Sequence, residues 1–104
     1  MTTSDPDALD LLRRRVERVA QVSALTAKAM KLSQAASGID MDRLRIELAL
    51  GQNPGSAQLA QELLEIEDSA ETMRSAQADC ADEIAAAEED VAALDRLIAA
   101  ARGG

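Results

Sequence analysis

The sequence predicts an all-α chain, an antiparallel helical hairpin or coiled coil with a short middle helix, that self-associates. The first of three observations is an unbroken heptad in the C-terminal half. Leu59, Leu63, Ile66, Ala70, Met73, Gln77, Cys80, Ile84, Ala87, Val91, Leu94, Ile98 and Ala101 follow one another in steps of four and three. That spacing keeps one seam of a helix against a partner. The second is composition. Phe, Trp, Tyr and His are absent, and Ala supplies about a fifth of the chain, a mixture suited to narrow helix–helix seams. The third is charge. Residues 57–102 carry twelve acidic and three basic side chains, whereas residues 7–37 carry six basic and three acidic. Two helices of opposite balance are expected to pair, since such complementarity selects partner and orientation.

The first helix is expected over residues 6–37, opened by Asp5 as cap with Pro6 at the first helical position. Its apolar residues recur as Leu9, Leu12, Val16, Val19, Val22, Leu25, Ala29, Leu32 and Ala36. The two successive steps of three at Val19–Val22–Leu25 read as a stammer. Gly38 reads as the stop, because glycine takes the left-handed conformation that ends many helices.

Residues 39–51 form an elbow with two readings. Asp40 fits the cap of a short helix, with Ile39 and Leu44 as its hydrophobic staple. Yet residues 43–50 alternate polar and apolar, as in a pairing strand. Leu, Arg, Glu and Ala are helix formers, which favours the helix. As a helix the elbow is apolar on two sides, with Met41, Leu44 and Leu48 on one and Ile46 and Leu50 nearly opposite. Ile46 and Leu50 are therefore candidate interface residues.

Asn53-Pro54-Gly55-Ser56 reads as a type II turn over residues 52–56. Ser56 then caps a long helix over residues 57–102 that contains neither Pro nor Gly. In a parallel homodimer of this helix, Glu62 would meet Glu67, Glu83 would meet Glu88, and Asp90 would meet Asp95. These like-charge pairs turn the helix toward the arginines of its own chain, Arg13, Arg14, Arg15 and Arg18, which are expected opposite residues 78–86. With the bend spread over residues 38–56, Ala36 falls near Leu59 and Leu9 near Ala86. Val91, Leu94, Leu97 and Ile98 are then left as an apolar overhang and a candidate protein interface.

Function is bounded mainly by exclusion. The net charge of −8 disfavours nucleic acid and anionic membranes. No apolar run approaches the ~20 residues that span a bilayer. Met1 to Pro6 has neither the basic start nor the apolar stretch of a signal peptide, so a cytoplasmic chain is expected. One cysteine without histidine offers zinc no ligand set, and Cys80 reads as a small core residue. Gln77 reads as a register-setting polar seam residue, within a seam anchored by Leu63, Ile66, Cys80 and Ile84. Asp40 and Asp42, near the expected hairpin tip, read as cap and solvated carboxylate.

General acid–base chemistry lacks histidine, and no glycine-rich phosphate loop is present. No catalytic residue, metal, cofactor or small-molecule substrate is expected. The expected function is a non-enzymatic protein–protein interaction module, an adaptor or assembly component bound to itself or to another protein. The alternatives are a small acidic chaperone that masks a client's amphipathic helix, as in export systems, and an acidic antitoxin-like inhibitor.

Overall fold

The computed structural model describes residues 4–103, with side-chain surroundings from residue 7 onward. Two helices make up the chain: α1 spans Ser4–Gln52 and α2 spans Ala57–Gly103. The all-α, two-helix hairpin expected from the sequence is present, and no strand occurs among the described residues.

The short middle helix is not. α1 runs through Gly38 and residues 39–51 without a break, so these residues are helical as expected but as part of α1 and not as a separate elbow, and the strand reading of residues 43–50 does not hold. Gly38 costs a helix interior about 0.5–1 kcal/mol relative to alanine. Leu32 and Ala36 before it and Ile39, Arg43, Ile46 and Leu50 after it are half-buried, so packing on both flanks carries the helix across that cost.

The bend is confined to Asn53–Ser56. The Asn53 N–H donates to the Ala49 and Leu50 carbonyls (3.0 and 3.1 Å), and the Ser56 N–H donates to the Asn53 carbonyl (3.1 Å). No described residue has a positive φ, so Gly55 does not adopt the conformation that a type II turn requires. The Ser56-to-Asn53 hydrogen bond closes the turn without the positive φ of type II, which corrects the expected turn type. Ser56 does cap α2: its Oγ accepts from the Leu59 N–H at 3.1 Å.

The chain forms two compact units. One contains the residues up to Lys28 together with those from Cys80 onward; the other is Ala29–Asp79, including the turn. In the first, Arg15 bonds Asp95 (2.5 Å), Arg18 lies 3.6 Å from Asp90, and Lys28 lies 3.9 Å from Glu83. The helices therefore run antiparallel there, with basic α1 against acidic α2 as the charge balance predicts. The register differs from the expected one. Arg15 meets residue 95, where a bend spread over residues 38–56 would have set it beside residue 80. Extending α1 to Gln52 accounts for the difference, because the added turns carry its start further along α2.

Buried side chains in this unit are Cys80, Ala87, Leu94 and Ile98. The Cys80 thiol donates to the Leu25 carbonyl at 3.5 Å. In the second unit Ala70 is buried, and Ala36, Ile39 and Met73 line one shallow groove with Asp40 and Arg74. Ile46 and Ile66 share another with Asp42, Arg45 and Glu62.

Candidate functional site

Burial along each helix separates the residues that hold the hairpin from those left outside. On α2 every predicted seam residue from Leu59 to Ile98 is buried or half-buried, including Leu63, Ile66, Gln77, Cys80 and Ile84; Ala101 is exposed. On α1 the half-buried residues are Ala8, Asp10, Leu11, Arg15, Val22, Leu25, Ala29, Leu32, Ala36, Ile39, Asp42, Arg43, Ile46, Ala49 and Leu50. Leaving aside Asp10, Asp42 and Ala49, which flank the row, and counting the exposed Arg18, which reaches across to Asp90, these too step by three and four. α1 therefore has its own continuous heptad, and the stammer expected at Val19–Leu25 is absent.

The proposed overhang is corrected at the same time. Leu94 and Ile98 are each 8 % exposed, Val91 is half-buried, and only Leu97 stands out, at 53 %. The first turns of α1 cover the strip that the expected register left bare. Ile46 and Leu50 likewise turn into the seam, and Asp40 lies in mid-helix, where it pairs weakly with Arg43 at 3.9 Å.

What remains outside is a different set of apolar residues. In the first unit Leu9, Leu12, Val16 and Val19, read from sequence as seam, are 61, 40, 67 and 39 % exposed. They follow one another in steps of three, four and three, so they form one row along α1. The seam beside them is taken by Ala8, Leu11, Arg15 and Arg18. In the second unit Met41, Leu44 and Leu48 form a similar row, with steps of three and four, and Leu64 of α2 is also exposed. Single exposed apolar residues are ordinary, but rows at helical spacing form continuous strips, the form in which helices bind other helices.

The signal for these rows was present in the sequence. On α1 two apolar stripes share one helix, and the seam is the one that contains three arginines. Long arginine stems pack along apolar surface while the guanidinium reaches a carboxylate, here Asp95 and Asp90. Leu64 gave no such signal, because its neighbours at helical spacing on the outer face are alanine, glutamine and carboxylates.

Among the described residues no group of three or more Cys, Asp or Glu converges in the way a metal site requires, and no helix is long and apolar enough to cross a membrane. The chain matches no protein family, no curated protein and no solved structure.

Proposed function

We propose that this chain is a non-enzymatic protein-binding module, an adaptor or assembly component that works through the outer rows of α1. The observation that carries this reading is the division of α1 into two apolar stripes. One is consumed by pairing with α2, and the other, Leu9 to Val19 in the first unit and Met41 to Leu48 in the second, is left in water. An amphipathic helix needs one apolar face to join a hairpin. A second face confers no stability on the hairpin and is best explained by a further helix bound there. The absence of histidine and of any base beside a serine, cysteine or lysine supports a binding role over a catalytic one.

Site-specific photo-crosslinking in the host cell tests this reading. A benzophenone side chain at Leu12 or Leu44 is expected to capture protein, whether another copy or a different chain, while one at exposed Gln58 or Ala78 is not. Absence of adducts at both rows would refute the proposal.

A further inference from the structure

Within the first unit each outer residue of α1 immediately follows a seam residue. Leu9 follows Ala8, Leu12 follows Leu11, Val16 follows Arg15, and Val19 follows Arg18. One residue is about 100° of helix rotation, so a roll of that size exchanges the whole row for the seam. The correspondence ends there, because the next seam residues, Val22 and Leu25, are followed by Ser23 and Thr26. An exchange is therefore confined to the arm before Val22, and Val22 and Leu25 serve both packings. Its pivot is Val19–Val22–Leu25, where two successive steps of three would have to be absorbed by local overwinding.

The two packings are closely balanced. The observed one leaves four apolar residues 39 to 67 % exposed and lays two arginines along the seam in their place. In return it keeps an even heptad and gains the interhelical pairs Arg15–Asp95 and Arg18–Asp90. The exchanged packing would set the row against Ala87, Val91, Leu94 and Ile98 of α2, and would give up both pairs and the even winding. The four paired side chains are about half exposed, so each pair is worth little and weakens with salt. Packed helix interfaces hold one discrete arrangement or another, so a small loss on one side moves the arm as a whole.

We infer that the arm of α1 before Val22 is a rotary latch. Arg15 and Arg18, held by Asp95 and Asp90, keep the Leu9–Leu12–Val16–Val19 row outside, and loss of these pairs rolls the arm and draws the row into the seam. This makes the ion pairs the control on the binding row, and in that respect it rests on the protein-binding reading above. The row is offered to a partner only while the latch is closed.

Single cysteines in a Cys80→Ala background test the latch, because Val16 faces outward and Leu11 faces the seam. In low salt a Val16→Cys thiol is expected to react with a maleimide several-fold faster than a Leu11→Cys thiol. Adding Arg15→Gln with Arg18→Gln is expected to slow the first and quicken the second, each several-fold, with the far-ultraviolet circular dichroism unchanged. With the arginines in place, salt at about 1 M, where the screening length is ~3 Å, is expected to move both rates in the same directions. Unchanged rates, or acceleration at both sites through opening of the helices, would overturn the latch; if the double variant loses helix, the salt series alone decides. Photo-adducts at Leu12 without opposed labelling would leave the binding module standing and remove the latch. Opposed labelling without adducts would do the reverse, so the two readings fail separately.

Discussion

Leu94 and Leu97 lie within one turn of α2 and carry the same side chain, but only the first is in the seam. Substitution of each by alanine tests the register directly. Truncation removes three carbons, and full burial of each is worth about 0.8 kcal/mol. At 8 % exposure Leu94→Ala loses about 2.2 kcal/mol of transfer free energy. Any cavity term is small, because a two-helix seam is open on both flanks and collapses readily. The total therefore lies near the bottom of the ~2–5 kcal/mol range for buried leucines. At 53 % exposure the same scaling gives Leu97→Ala at most about 1.1 kcal/mol. Alanine's better helix propensity offsets part of that loss.

Urea unfolding followed by far-ultraviolet circular dichroism reads both substitutions. With a denaturant slope of about 1.5 kcal/mol/M, the midpoint falls by about 1.5 M for Leu94→Ala and by no more than about 0.7 M for Leu97→Ala. Equal shifts would refute the register. In the alternative that sets Arg15 beside residue 80, both leucines lie past the end of α1 and respond alike.

Three further expectations follow from local geometry. Gly38→Ala meets no atom within 4 Å and sits in a helix interior, so it is expected to stabilise the chain by about 0.5–1 kcal/mol, seen as a rise of about 3–6 °C in Tm; destabilisation would mean that α1 breaks there. Ser56→Ala removes the acceptor for the Leu59 N–H and is expected to cost about 1 kcal/mol, with Ser56→Asp restoring most of it in the same melt. Cys80, 1 % exposed, is expected to react with a thiol reagent only through opening of the helices, far more slowly than in the unfolded chain; immediate labelling of the folded protein would place it outside the seam.

The two helices were unequally legible in the sequence. On α2 the seam could be read residue by residue, because twelve of its thirteen positions are apolar and the residues between them are nearly all charged, polar or alanine. On α1 the apolar signal from Leu9 to Val19 belongs to the outer row, and the seam beside it is Ala8, Leu11, Arg15 and Arg18. Hydrophobic spacing alone selects the wrong stripe there, since it cannot credit an arginine whose stem packs and whose head finds Asp95 or Asp90 across the seam. The apparent stammer was a crossing from one stripe to the other. Gly38 misled for a related reason. Its local preference to end a helix is worth less than the contacts of Ile39, Arg43, Ile46 and Leu50 beyond it. The apolarity of residues 41–50 on two sides is visible in the sequence, but which side faces inward depends on the register, and the register depends on where the chain turns.

Two uninterrupted heptads that meet at a four-residue turn restrict how the hairpin can change in length. Seven residues inserted into α1 between Ala29 and Ala36 would preserve every seam step, yet they would carry Arg15 from Asp95 to the level of Arg102, cation against cation. The same insertion in α2 alone would displace the pairing in the opposite sense. Made together, on the same side of each ion pair, the two insertions restore Arg15 to Asp95 and Arg18 to Asp90. The molecule can therefore be lengthened or shortened only in matched steps of a heptad, and its interhelical charges detect a mismatch between its two arms.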